Sequence, residues 1–202
     1  MISQKELKGI NSPLRNFSLK LKIRSYKKQL EKLDINYENK VILDAGCGRG
    51  FSTKILCEKF QPKEIYAFDY LEEQIQLAKQ LELKAIFWVG DITSIHIPDE
   101  NFDIVFAFNV LHHVPHWKQG ILEISRVIKN QGYAIFEEPT GSYTTFTDKF
   151  VRNKHPDEAK FSKKEFEADL LKNNFIILKD SSTFFGKYIA LITQKKNPVS
   201  SY

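Results

Sequence analysis

The sequence predicts an α/β fold in which a mostly parallel sheet is closed by a C-terminal hairpin. Three observations predict it. From Lys40 onward short apolar runs alternate with amphipathic stretches, a glycine-rich turn follows the first run, and acidic residues close three successive runs. Strands separated by helices pair in parallel, because each right-handed crossover must return the chain over the sheet face.

The elements follow in order. KVILDA (40–45) reads as a buried strand, followed by a glycine turn and a helix through about Phe60. EIYAFD (64–69) is the second strand and 71–81 the second helix; AIFWV (85–89) is the third strand, ending at Gly90-Asp91, and FDIVFAFN (102–109) the fourth. Trp117, Ile121, Ile124, Val127 and Ile128 recur at helical spacing, with 129–132 as the stop, and 133–138 is the fifth strand. Ser162 and Glu165 have the spacing of a capping box, whose helix runs to Asn173 or Asn174. The apolar runs 175–178 and 188–193, joined by a polar segment containing Gly186, read as the closing hairpin. Upstream, Leu19, Ile23, Tyr26, Leu30 and Leu33 place an amphipathic helix over about 16–35, with lysines on its other face. That helix either packs on the domain or serves as a lid or partner surface.

Composition bounds the function classes. A chain of 202 residues, 42% hydrophobic and 27% charged, can bury a core and has no disordered bias. Its longest apolar stretches, such as 104–111, are strand-sized, and residues 1–8 lack the apolar core of a signal peptide, so a soluble protein is expected. Cys47 and Cys57 form neither a disulfide framework nor a metal-ligand cluster. A reducing, cytoplasmic location and no bound metal are therefore expected. Residues 1–40 hold ten Lys/Arg against four Asp/Glu, 41–140 nine against fourteen, and 141–202 eleven against seven. An acidic centre between basic arms could draw an anionic substrate, a nucleic acid or an acidic lipid surface, or the lysines could simply be solvated.

The turn Asp44-Ala45-Gly46-Cys47-Gly48-Arg49-Gly50 carries the first functional signal. Gly46 and Gly48 remove Cβ atoms where backbone must approach a ligand, and backbone N–H groups at a helix start can hold an anionic group. Asp44 offers a carboxylate to a cationic or donating ligand. A dinucleotide fingerprint would need glycine at position 51, which is Phe51. Asp69 closes the second strand, where a carboxylate can accept both hydroxyls of a ribose, and Asp91 with Ile92 suits the edge and face of an adenine. Any one of these aspartates could instead cap a turn or helix; three at successive strand ends favour a ligand at the carboxyl edge of the sheet.

VILDAGCGRG (41–50), IYAFD (65–69), GDI (90–92), FDIVFAFNVLHHV (102–114) and the ILEISRVIKNQGYAIFEEP run (121–139) together resemble the small-molecule branch of the class I S-adenosylmethionine-dependent methyltransferases. The resemblance covers about residues 41–195. It implies a Rossmann-like three-layer sandwich with seven strands ordered 3-2-1-4-5-7-6, strand 7 antiparallel. Residues 1–39 would then be a helical extension packed on the core, 40–196 the methyltransferase domain with 141–161 as a substrate lid, and 197–202 a tail. It further implies a cofactor, S-adenosylmethionine, leaving as S-adenosylhomocysteine, held by Asp44, Ala45, Gly46, Cys47, Gly48, Asp69, Tyr70, Asp91, Ile92, Asn109 and Val110.

The implied reaction is an in-line displacement onto a small-molecule acceptor, anionic or hydrophobic, with a general base needed only if the acceptor must lose a proton. His113 is the candidate base, ahead of His112; both could equally orient cofactor or helix. Glu137 and Glu138 end the fifth strand and either face the acceptor pocket or serve as caps or solvated groups. The aromatic and basic segment 143–160 reads as a long irregular loop, either a lid over the acceptor or ordinary surface. Tyr143, Phe146, Phe150, Arg152, Lys154 and His155 are its candidate substrate contacts, Arg152 as a clamp on a carboxylate or phosphate. Two rival classes remain: a nucleic-acid or protein methyltransferase, favoured by the basic arms but lacking an Asn/Asp-Pro-Pro-aromatic motif, and a non-catalytic cofactor-binding domain.

Overall fold

The computed structural model describes residues 13–150, 154–183 and 186–197. The chain divides into two compact units, one ending at Val89 and one beginning at Gly90.

The first unit contains α1 (Pro13–Lys32), β1 (Val41–Ala45), α2 (Phe51–Phe60), β2 (Glu64–Asp69), α3 (Glu72–Lys79) and β3 (Ile86–Val89). β1 pairs in parallel with β2, Val41 opposite Glu64 through Ala45 opposite Phe68, and β2 with β3. Ile23, Tyr26 and Leu30 of α1 are buried, as the helical spacing requires, whereas Leu19 and Leu33 are half-buried at the ends of that stripe. Ile55, Leu56 and Phe60 of α2 join Ile42, Leu43 and Phe68 in the core, and Tyr37 meets Phe60 edge to face at 5.2 Å. Gly50, at φ 78°, opens α2; a Cβ there would lie 3.0 Å from that of Ala78, so this glycine also permits close packing on α3.

The second unit contains β4 (Phe102–Phe108), a 3-10 turn (Leu111–His113), α4 (Trp117–Val127), β5 (Ile128–Pro139), α5 (Gly141–Thr147), a second 3-10 turn (Asp157–Ala159), α6 (Lys163–Lys172), β6 (Phe175–Asp180) and β7 (Tyr188–Lys195). β4 and β5 are parallel, while β7 runs antiparallel to both β5 and β6. The seven strands have the order β3-β2-β1-β4-β5-β7-β6, the arrangement that the resemblance implies. Ser162 accepts from the Glu165 N–H at 3.2 Å and its own N–H donates to the Glu165 carboxylate at 2.8 Å, completing the predicted capping box.

Two elements differ from the sequence expectation. Ile128 is not the last residue of α4 but the first of β5, paired with Phe102, and the next pair is Ile104 with Tyr133. The residues between form a bulge, with Gln131 at φ 63° and a Gly132 whose Cβ would lie 2.8 Å from the Lys129 carbonyl oxygen. Turn chemistry inside a strand therefore mimics a helix stop. The described residues of the segment 143–160 likewise depart from the expected irregular loop. They include most of α5 and a 3-10 turn, and the neck flanking them is closed by the Gly141 N–H donating to the Phe161 carbonyl at 2.7 Å.

Phe161 itself joins a buried aromatic cluster that fixes α4 and α6 to the sheet. Its ring lies 4.7 Å from Trp117 and 5.1 Å from Phe166, and Phe136 of β5 meets Phe166 at 5.5 Å and Phe175 at 6.1 Å, both edge to face. Phe166 is fully buried at the centre of this cluster. Phe166→Ala is expected to remove about 3–5 kcal/mol of stability through lost burial and a cavity, measurable as a lower urea midpoint with an unchanged slope.

Candidate active site

In the first unit the site is organised by what the carboxylates at the ends of β1 and β2 hold. Gly46, Gly48 and Gly50 have φ values of 77°, 54° and 78°, left-handed positions that side chains with a Cβ rarely adopt. The Gly46 and Cys47 N–H groups both donate to the Phe68 carbonyl at 2.9 Å, which ties the turn to β2. Asp69 continues the tie: one carboxylate oxygen accepts from the Gly48 N–H at 2.8 Å and the other from the Leu71 N–H at 3.0 Å. Each oxygen has a second lone pair, so these bonds leave room for a ligand's hydroxyls. Desolvation raises the Asp69 carboxyl above its usual range, against the pull of those N–H groups.

Asp44 is more deeply committed to the fold. Its Oδ2 accepts from the hydroxyls of Ser52 at 2.7 Å and Thr53 at 2.6 Å, so it anchors the first turn of α2 behind the glycines. Burial pushes its pKa up to about 6, with the two hydroxyls opposing the rise. Cys47 turns its buried thiol among Ala67, Ile75 and Phe87, and burial pushes that thiol far up, so its side chain packs as an apolar group. Ala45 is buried and Tyr70 exposed.

Sequence reasoning missed Gln74, on α3. Its amide oxygen is buried with no hydrogen-bond partner among the described residues, and it lies 3.9 Å from where a Gly48 Cβ would stand. A bare turn facing an orphaned buried acceptor suits a polar ligand that can donate to it. That is the fit expected for a nucleoside cofactor carrying an amino acid moiety.

In the second unit Asp91 accepts from both the N–H and the hydroxyl of Thr93 at 2.8 Å. Ile92 is buried beside Gly120 of α4, whose bare position makes room for Leu111, since a Cβ there would lie 2.8 Å from the Leu111 side chain. Arg126 holds the following segment through the Ile95 and Ile97 carbonyls at 2.6 and 2.8 Å. Asn109 adopts φ 56°, and its N–H donates to the Glu137 carbonyl at 2.7 Å.

The fully buried Glu138 is the organising group here. Its carboxylate accepts from the N–H groups of Val110 and Leu111 at 2.9 Å, from that of His112 at 3.4 Å, and meets His112 Nδ1 at 2.7 Å. Burial pushes its pKa up to about 8, opposed by the three N–H groups. Glu138 therefore caps the turn after β4, and Glu137 is buried beside it; neither is a solvated surface group. His112, ranked below His113 by sequence, is the histidine that a carboxylate orients. His113 is exposed, and its ring stacks on that of His155 at 5.0 Å.

The remaining predicted residues that the structure describes fall into separate contacts. Tyr143 packs against Tyr188 at 5.1 Å, while Phe146 and Phe150 are exposed and meet each other at 5.5 Å. Lys154 is exposed, and Arg152 lies outside the described residues.

A seven-stranded mixed sheet with an antiparallel seventh strand, joined to a glycine turn tied by Asp69, defines a Rossmann-like α/β domain. Residues 43–136 match the family model described as a methyltransferase domain. This match, the relatives and the solved structures together support a class I S-adenosylmethionine-dependent methyltransferase, whose cofactor is S-adenosylmethionine. It is 28% identical over 108 residues to a fatty-acid O-methyltransferase of Mycolicibacterium smegmatis, a match covering 52% of this chain and 39% of that protein. It is 27% identical over 113 residues to a phthiotriol/phenolphthiotriol dimycocerosates methyltransferase of Mycobacterium tuberculosis, covering 55% and 41%. These matches thus span well under half the length of the curated relatives. A solved S-adenosylmethionine-dependent methyltransferase from Clostridium acetobutylicum shares the fold with a TM-score of 0.74, at 15% identity and over 96% of this chain and 98% of that one. Among the described residues, no helix is long and apolar enough to cross a membrane.

Asp44 makes a pH prediction for the ligand-free protein. A carboxyl raised from its ordinary 3.8 to about 6 on folding contributes stability below the lower value and loses it as pH rises through the higher. Relative to Asp44→Asn, which stays neutral, the native chain should lose about 3 kcal/mol across that window. Denaturant titrations of both proteins at the two ends of the window test this, and parallel pH profiles would refute it.

Proposed function

We propose that the chain transfers the methyl group of S-adenosylmethionine to a small-molecule acceptor by in-line displacement. The observation that carries this reading is the Gly46–Gly50 turn, held to β2 by the Asp69 carboxylate, within a domain of the methyltransferase family. Gly46, Gly48 and Gln74 would receive the methionine part, with the backbone of Ala45 and Cys47 in the wall behind it. Asp69 would accept the ribose hydroxyls beside Tyr70. Asp91 and Ile92 would take the adenine, and Asn109 and Val110 would flank the methionine part.

When bound, the cofactor supplies a sulfonium-activated methyl, so the protein need not create an electrophile. The chain's own residues then have two tasks. One is alignment, since holding reactants in line can supply roughly 7–11 kcal/mol. The glycine turn serves it through its fixed left-handed backbone, which has no rotamers to order. The other is removal of a proton from the acceptor where one must leave. His112, steered through Nδ1 by Glu138, and His113 beside it are the candidate bases.

An oxygen acceptor on a partly apolar molecule fits best. One relative is named as acting on fatty acids and another on an acyl-carrier-protein-linked malonyl group. In this chain the exposed pair Phe146 and Phe150 offers apolar contact beside α5.

Asp69→Asn removes one charged acceptor while preserving shape. A charge-assisted hydrogen bond of roughly 1.5–3 kcal/mol predicts at least a tenfold loss in affinity for S-adenosylhomocysteine, measured by calorimetry on protein with native circular dichroism. Unchanged affinity would remove Asp69 from the site. Transfer of labelled methyl to a panel of fatty acids and hydroxylated lipids tests the acceptor class, and activity on none of them would overturn it.

A further inference from the structure

We propose that the second unit holds a site for a divalent transition-metal ion of the zinc class, ligated by His112, His113 and His155. One ligating atom from each lies within 4.8 Å of the other two. The ring centroids are 4.0 Å apart for His112 and His113, 5.2 Å for His112 and His155, and 5.0 Å for His113 and His155.

The surroundings distinguish this cluster from a chance meeting of side chains. His112 Nδ1 meets the buried Glu138 carboxylate at 2.7 Å, and His155 Nδ1 meets the buried Asp148 carboxylate at 2.5 Å. An ionised carboxylate on one ring nitrogen, the form that a bound cation favours, places the proton there and makes Nε2 the basic atom, the outer-shell pattern of metal-binding histidines. Both carboxylates are held in turn. Glu138 accepts backbone N–H groups, and Asp148 is met by the Lys160 ammonium at 3.1 Å and the His155 N–H at 3.2 Å. Three protonated imidazoles at this spacing would repel one another, whereas a shared cation uses three neutral rings.

The chemistry of the donor set selects the ion. An all-imidazole site suits zinc and its neighbours in the first transition row rather than magnesium or calcium, which prefer oxygen. Around a tetrahedral ion with bonds of about 2.0–2.1 Å, neighbouring nitrogens stand roughly 3.3 Å apart. The cluster must therefore contract on binding, at the side where His113 is exposed and His155 half-buried. Three protein ligands leave a coordination position for water.

The test uses the full chain, free of any histidine tag and stripped with a chelator, without methyl donor, so its outcome is separate from the methyl-transfer reading. Zinc titration against a competing chelator should give one ion per chain, and cobalt(II) should show the visible bands of a tetrahedral nitrogen site. His113→Ala and His155→Ala, both away from the core, should each weaken zinc binding at least tenfold and alter the cobalt spectrum. Asp148→Asn should weaken binding by about 10–100-fold while keeping one ion per chain. Absence of zinc binding by the folded native chain would overturn the proposal. So would binding that survives the His113→Ala/His155→Ala double variant.

Discussion

A sheet terminus leaves backbone N–H groups in the turn that follows it, and burying them without partners costs free energy comparable to a lost hydrogen bond. In this protein strand-end carboxylates meet that demand in each unit separately. Asp69 collects the N–H groups of Gly48 and Leu71, Asp91 that of Thr93, and Glu138 those of Val110, Leu111 and His112. The turns so held are the ones that carry the candidate functional residues. Their backbone geometry is set before any ligand arrives, which reduces the ordering cost of binding.

This dual use explains why single aspartates were ambiguous in the sequence. A strand-end carboxylate that ties a turn and one that accepts from a ligand look alike, and Asp69 has the lone pairs to do both. Asp44 shows the opposite balance, since Ser52 and Thr53 already engage its Oδ2. Its raised pKa reflects burial with only hydroxyl donors for compensation. A cationic ligand nearby would favour its ionised form, so ligand binding and the protonation of Asp44 are thermodynamically linked.

The mostly parallel sheet and its terminal hairpin were legible because period and strand length point one way, the strand order followed from the family resemblance, and local signals such as Ser162 and Glu165 act within a few residues. The β5 bulge was not, because Lys129 to Gly132 carry turn chemistry whether they end a helix or interrupt a strand; only pairing with Phe102 and Ile104 decides. In the site, the glycine turn and its aspartates stood out because consecutive residues define them. Gln74 lacked any such signal, since a glutamine on an amphipathic helix reads as surface until packing buries it.

The histidines illustrate the same limit most sharply. His112 and His113 are adjacent in sequence, but His155 follows from a segment whose return path is set by the neck bond between Gly141 and Phe161 and by the packing of Phe161 on Trp117 and Phe166. Asp148 meets His155 from the C-terminal end of α5. Metal-ligand motifs are recognisable when the ligands share a helix or a tight turn. Here the spacing is set by aromatic packing and by two buried carboxylates on different elements, so the cluster is a property of the fold rather than of any sequence window. The same packing that stabilises the second unit therefore decides which polar groups meet, and a substitution among those aromatics would reach the histidines without touching them.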